Sequence, residues 1–259
     1  MSAPVVATLL RSAAARTALR RGLPRGRVRL VSCRSPTALE KVVATQLVDA
    51  VVVDARLPGA AAALVHLRRR FPGIPRFAYA AFRPDDADLL VQCVHDAGAH
   101  PIVEGVEDGV SWDLILPRGA GAARVAALEG APRILRLVDD LQLRAWAVVV
   151  HGVAGPLRTA GIARTLGVSR EHLSRQFGAG GAPNLKRVID LARTATAADL
   201  LANPGYSVRA VASILGFASA SHLASAARRI TGVTALRLPE LGPRGVLAAF
   251  VRGRTRSRA

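Results

Sequence analysis

Two stretches of this 259-residue chain repeat one pattern, with their turn glycines, Gly167 and Gly216, standing 49 residues apart. The first is TAGIARTLGVSREHLSRQF, Thr159–Phe177; the second is SVRAVASILGFASASHLASAARR, Ser207–Arg229. In each, a short apolar helix runs into a glycine turn, and a second helix follows with small polar residues at its start. Ile162, Ala163 and Leu166 in one leading helix, and Val208, Val211, Ala212 and Leu215 in the other, recur at helical spacing. Ser169 is placed to cap the second helix of the first copy, and Ser207 the leading helix of the second. The segment between the copies predicts one connecting helix. Its apolar stripe is Leu185, Val188, Ile189, Ala192 and Ala195, and Asn203-Pro204-Gly205 ends it.

This arrangement is the grammar of two helix-turn-helix units on a rigid spacer, in which the second helix of each enters a DNA major groove. Recognition helices about 34 Å apart would read successive grooves. On a wheel of ~100° per residue, pointing Leu173 and Phe177 inward turns Glu171 and Arg175 outward, with His172 and Ser174 on the flanks. In the second copy, with Leu223 and Ala227 inward, Ser221 and Ser225 face out and His222 flanks them. These seven polar residues are the candidate base readers, since Arg can grip guanine bidentately and Glu can accept from cytosine. Arg158, Arg164, Arg170, Lys186, Arg187, Arg209, Arg228 and Arg229 are the candidate phosphate contacts. The chain's net charge is +18. Residues 1–132 carry 17 basic and 12 acidic groups and residues 133–259 carry 19 and 6, so the surplus lies with the repeated units.

The pieces IARTLGVSREHLSRQF, RTATAADLL with Arg193, Ala197, Leu200 and Leu201, and VASILGFASASHLASAARRITGVT carry a resemblance. From near Leu141 to Leu241 the sequence resembles the DNA-binding domain of AraC/XylS-type transcription regulators. The resemblance implies an all-α double helix-turn-helix domain, with the outward positions named above contacting bases. Leu223 and Ala227 stand where aromatic residues are usual, and Ala235 where proline is. They imply a more lightly packed second unit.

The N-terminal half alternates strands and helices. Val5–Leu10, Val28–Cys33, Ala50–Ala55, Arg76–Ala81 and Pro101–Val106 predict strands. Ser12–Arg21, Pro36–Leu47, Ala60–Phe71 and Asp85–Ala97 predict helices. Continuous apolar strands alternating with helices point to a five-stranded parallel sheet covered on both faces, an α/β domain of flavodoxin-like build. Within it, DAVVVDARLPG, Asp49–Gly59, resembles the receiver domain of response regulators. The resemblance makes Asp54, at a strand end, a candidate phosphoacceptor. Phosphoryl transfer to an aspartate needs a divalent cation held by further carboxylates and a cation for the acyl phosphate. Thr8 to Arg11, Ala80–Ala81 and Glu104 stand where a receiver has its acidic pair, its Ser or Thr and its Lys. A receiver-like domain that is not phosphorylated is therefore expected.

The remaining features bound the class. Cys33 and Cys93 have no metal or disulfide spacing, and neither elbow glycine nor base pattern makes Cys33 a nucleophile; buried, reduced thiols and a cytoplasmic setting are expected. The six histidines show no ligand spacing, so no metal or other cofactor is expected. Asp85, Asp86 and Asp88 read as a helix-start charge set. No apolar run reaches the ~18 residues needed to span a membrane. The Arg- and Ala-rich start resembles a transit peptide but reads better as a first strand and helix. Nearly all the basic residues are Arg, which with the abundant Ala and Gly suggests a GC-rich bacterial gene. The expected organisation is an α/β domain at 1–117 and a Gly-, Pro- and Ala-rich linker at 118–132, with GAGAAR at Gly119–Arg124 lacking a P-loop Lys-Ser/Thr. A double helix-turn-helix domain at 133–242, opening on a helix over Arg133–His151, and a solvated basic tail at 243–259 complete it. The function expected is sequence-specific transcription regulation without enzymatic activity. The competing classes are a phosphorylation-dependent regulator using Asp54 and an architectural DNA binder without sequence preference. Double-stranded DNA is the primary partner expected, with RNA polymerase and a second copy of the chain as further candidates.

Overall fold

The computed structural model describes residues 3–24, 26–81, 83–155 and 157–256. The chain divides into two compact units, Ala3–Ala123 with Asn203–Tyr206, and Arg124–Ala202 with Ser207–Ala259.

In the first unit, β1 (Val5–Leu9), β2 (Arg29–Ser32), β3 (Ala50–Asp54), β4 (Arg76–Ala80) and β5 (His100–Val103) form one parallel sheet in the order β2-β1-β3-β4-β5. That order is the doubly wound, flavodoxin-like one expected from the βα alternation. The crossovers are α1 (Ala13–Arg21), α2 (Pro36–Thr45), α3 (Ala60–Arg70) and α4 (Pro84–Ala97). Ser12 and Ser35 cap α1 and α2 by accepting from Ala15 N and Ala38 N. Asp85 and Asp86 stand in the first turn of α4, where acidic groups complement the helix dipole. β1 and β3 are buried along their whole length, which is why they read as unbroken apolar runs. Val6, Leu10, Leu19, Val52, Phe77, Tyr79, Ile102 and Ile115 belong to one buried cluster. Ile115 comes from α5 (Ser111–Arg118), a helix the sequence reading did not assign. It is short and holds Pro117, which reads as a breaker, and its Ser111 Oγ donates to Leu19 O at 3.4 Å. The N-terminal stretch with transit-peptide character is β1 and α1 of this unit.

α6 (Ala120–Ala127) runs from the first unit into the second, which is otherwise helical: α7 (Ala131–Ile134), α8 (Asp140–His151), α9 (Thr159–Leu166), α10 (Arg170–Phe177), α11 (Leu185–Leu201), α12 (Val208–Ile214), α13 (Ala220–Thr231) and α14 (Leu238–Arg256). Three expectations are corrected here. Residues 118–132 are not open linker but carry α6 and the start of α7, with Ala120, Leu128 and Ala131 buried. The alanines that helped mark the stretch as linker are also the strongest helix formers. The single helix expected over Arg133–His151 is two. α7 ends with Arg136 in the left-handed region at φ 59°, where Leu137 N bonds back to Pro132 O at 2.9 Å, and α8 restarts behind the cap Asp139. The described part of the tail expected at 243–259 is not an open end but the second part of α14, as far as Arg256; residues 257–259 lie outside the described residues. Gly242 (φ 60°) breaks the helix and Pro243, with φ preset, restarts it. Val246, Leu247 and Phe250 are then buried against the unit. α11 shows the consequence: it is buried on almost every side rather than along one stripe, and only its first turn, Lys186 and Arg187, is exposed.

Candidate nucleic-acid interface

Both repeated units fold as a helix, a left-handed glycine turn and a second helix. Gly167 has φ 70° and Gly216 φ 67°, a conformation that a side chain would strain. Ser169 Oγ accepts from His172 N at 3.1 Å and Ser207 Oγ from Ala210 N at 3.1 Å, the two caps expected from the sequence. Ser219, which the sequence reading left out, caps α13 by accepting from His222 N at 3.0 Å.

Burial of the apolar faces sets which way α10 and α13 are rolled. Leu173, Phe177, Leu223 and Ala227 are buried, while Glu171, His172, Ser174, Arg175, Ser221, His222 and Ser225 are exposed. The His222 ring also stands edge-on to Phe217, 5.5 Å between centroids, which restrains it. All eight phosphate candidates, Arg158, Arg164, Arg170, Lys186, Arg187, Arg209, Arg228 and Arg229, lie at the surface. One of them is already engaged: Arg229 Nη2 donates to Asp190 Oδ2 of α11 at 2.7 Å. The second unit therefore offers Arg228 as its freer cation at that end of α13.

Two polar side chains, one buried and one half-buried, tie these helices down. Gln142, 1% exposed on α8, accepts from Val138 N (2.9 Å) and Asp139 N (3.1 Å) through Oε1. Its Nε2 faces the carbonyls of Phe177 (3.0 Å), Ala179 (3.2 Å) and Gln176 (3.3 Å) at the end of α10. One amide thus caps its own helix and satisfies orphan carbonyls of the first recognition helix. Asp139 followed three residues on by Gln142 is a capping-box spacing, legible in the sequence; the reach to α10 is not. Arg193 on α11 donates from Nη2 to Gly155 O at 3.1 Å, and its guanidinium lies 5.8 Å from the Phe217 ring centroid. It bridges the segment before α9 and the turn of the second unit, and burial pushes its pKa down.

The candidate phosphoacceptor has a different surrounding from a receiver's. Asp54 is fully buried at the end of β3. Its Oδ1 accepts from Arg56 Nε (2.8 Å) and Arg56 N (3.1 Å), and its Oδ2 from Arg56 Nη2 (3.0 Å) and Arg11 N (3.3 Å). Arg56 Nη1 donates onward to Glu104 Oε2 at 2.8 Å, and Asp86 Oδ2 lies 3.9 Å from it. Hydrogen bonding to Asp54 pushes the Arg56 pKa up against the opposing effect of burial, so the guanidinium stays charged. A permanent cation therefore sits between Asp54 and Glu104. The sequence reading did not single out Arg56, two residues past the aspartate. Both thiols are pushed up by burial; Cys93 is buried and Cys33 half-buried.

A family model described as a helix-turn-helix domain matches residues 162–238. No curated protein matches the chain at significance. Among solved structures, the signal receiver domain of an HD domain-containing protein from Pseudomonas fluorescens Pf-5 is similar at 17% identity. It aligns with 48% of this chain and 93% of its own, at a TM-score of 0.42. Full-length FixJ from B. japonicum aligns at 15% identity over 88% of this chain and 97% of its own, TM-score 0.41. A DNA-binding transcriptional dual regulator from Escherichia coli K-12 aligns at 23% over 40% and 93%, TM-score 0.36. Likenesses this low carry no weight, and the fold reading rests on strand order and helix geometry. No described helix is long and apolar enough to cross a membrane. With the matched model covering α9 to the start of α14, and both turn glycines and recognition faces in place, residues 162–238 are a helix-turn-helix domain of the AraC type.

Proposed function

We propose that this protein is a transcription regulator that binds specific sequences of duplex DNA through α10 and α13, and that its receiver-like unit works without phosphoryl transfer to Asp54. The observation that carries the reading is the pair of capped recognition helices whose outward faces are polar and exposed, joined by the buried helix α11. α10 presents Glu171 and Arg175, groups long enough to discriminate bases, while α13 presents serines and a rim arginine. The bidentate Asp54–Arg56 pair supports the second half of the proposal, because both carboxylate oxygens are taken up by a built-in cation. RNA polymerase is the downstream partner this reading implies, and a second copy of the chain a further one.

Salt titration of binding to a DNA duplex tests it. With five to eight phosphate contacts, log affinity should fall against log salt with a slope of about −4 to −7. A slope near zero removes the DNA-binding reading.

A further inference from the structure

The C-terminal part of α14 was expected to be a solvated basic tail. Instead it brings an aromatic ring beneath one of the phosphate candidates. Phe250, 1% exposed, lies under Arg187, whose Cζ stands 5.1 Å from the ring centroid. Arg187 is in the exposed first turn of α11, where Asn184 Oδ1 accepts from its backbone N at 2.9 Å. Among the described residues its side chain takes part in no hydrogen bond or ion pair. Arg229 differs, its guanidinium being tied to Asp190.

We infer that Phe250 is a positioning residue for DNA binding, holding the Arg187 guanidinium ready for a backbone phosphate. A guanidinium stacked on a ring uses its face, and its five N–H donors, all in the plane, stay free for a phosphate fork. Ordering a long, rotamer-rich side chain before binding removes part of the entropy cost of making the contact. The proposal rests on the DNA-binding reading, with Arg187 among its phosphate contacts.

A double-mutant cycle on the full chain tests it, using Phe250→Leu, Arg187→Ala and the double variant against a mixed-sequence duplex. Phosphate contacts do not depend on sequence, so no operator is needed. Arg187→Ala should weaken binding and reduce the salt slope by about 1. Phe250→Leu should weaken binding about two- to five-fold, the strength of an exposed cation–π contact, with little change in slope. In the Arg187→Ala background Phe250→Leu should have no further effect. In the free wild-type protein the Arg187 side-chain proton resonances should be shifted upfield by the ring current, and this shift should vanish in Phe250→Leu. Thermal melting confirms that each variant is folded, and Phe250→Met replaces any leucine variant that is not. An undiminished effect of Phe250→Leu in the Arg187→Ala background reduces the ring to packing and overturns the proposal. So does wild-type affinity in Phe250→Leu, or an unshifted Arg187 resonance. If the wild type fails to bind duplex at all, the DNA-binding reading falls and takes this role with it, whatever the ring-current result.

Discussion

The two recognition helices differ most in side-chain reach. Arg175 and Glu171 extend from α10, whereas Ser221 and Ser225 stay close to the backbone of α13. A good bidentate contact discriminates by about 1–3 kcal/mol, and a serine hydroxyl by less. Arg175→Ala should therefore relax preference at one or two operator positions and Ser225→Ala should change little. Both variants can be selected against a randomised operator library; a larger change in preference from Ser225→Ala would reverse the division of labour. A second residue-level expectation concerns Arg136, the one non-glycine described in the left-handed region. Its backbone closes the end of α7, a position where glycine is the favoured residue. Arg136→Gly should raise stability by about 0.5–1 kcal/mol, since relief of left-handed strain exceeds the added unfolded-state entropy. Urea unfolding measures this, and a lower midpoint would show that the arginine side chain contributes more than its backbone costs.

Between elements, the first recognition helix is held by a group outside its own unit of sequence. Gln142 both caps α8 and donates toward the end of α10. Gln142→Glu separates these roles, because a carboxylate still accepts from Val138 N and Asp139 N but has no N–H for the α10 carbonyls. It also sets a negative charge against the negative end of a helix dipole. Loss of buried hydrogen bonds of this kind costs about 1–3 kcal/mol. The variant should melt earlier than wild type and discriminate less between operator and random DNA, as followed by calorimetry and competition binding. Wild-type values in both would mean that the clamp is dispensable.

Over the whole chain, two ways of using charge stand side by side. The surplus of basic groups is spread over the surface of the helix-turn-helix half, where it meets solvent and can meet phosphate. In the α/β unit Arg56 is consumed internally. The Asp54–Arg56–Glu104 chain is satisfied without a ligand, so a small phosphodonor with Mg²⁺ should leave no acyl phosphate on the protein by intact mass. Asp54→Ala should destabilise the α/β unit by about 1–3 kcal/mol by stranding Arg56, while the salt slope of DNA binding stays as in wild type. Mg²⁺-dependent labelling that disappears in Asp54→Ala would restore phosphorylation-dependent control.

The sequence by itself determined what depends on neighbours along the chain. Unbroken apolar runs, the helical period of 3.6, serine caps and the turn glycines act within a few residues, so the five strands, α1 to α4, and both helix-turn-helix units were legible close to their observed bounds. The outward faces of α10 and α13 followed from the same periodicity. Tertiary structure alone decided the rest. The Gln142 amide reaches across 35 residues to Phe177 and Arg56 across 48 to Glu104, separations over which no local pattern speaks. Val246, Leu247 and Phe250 went unread in a tail taken as basic, because α14 packs on the distant α11. Arg187 and Arg229 were equivalent cations in the sequence. The fold made them unlike, by setting a phenyl ring under one and a carboxylate against the other.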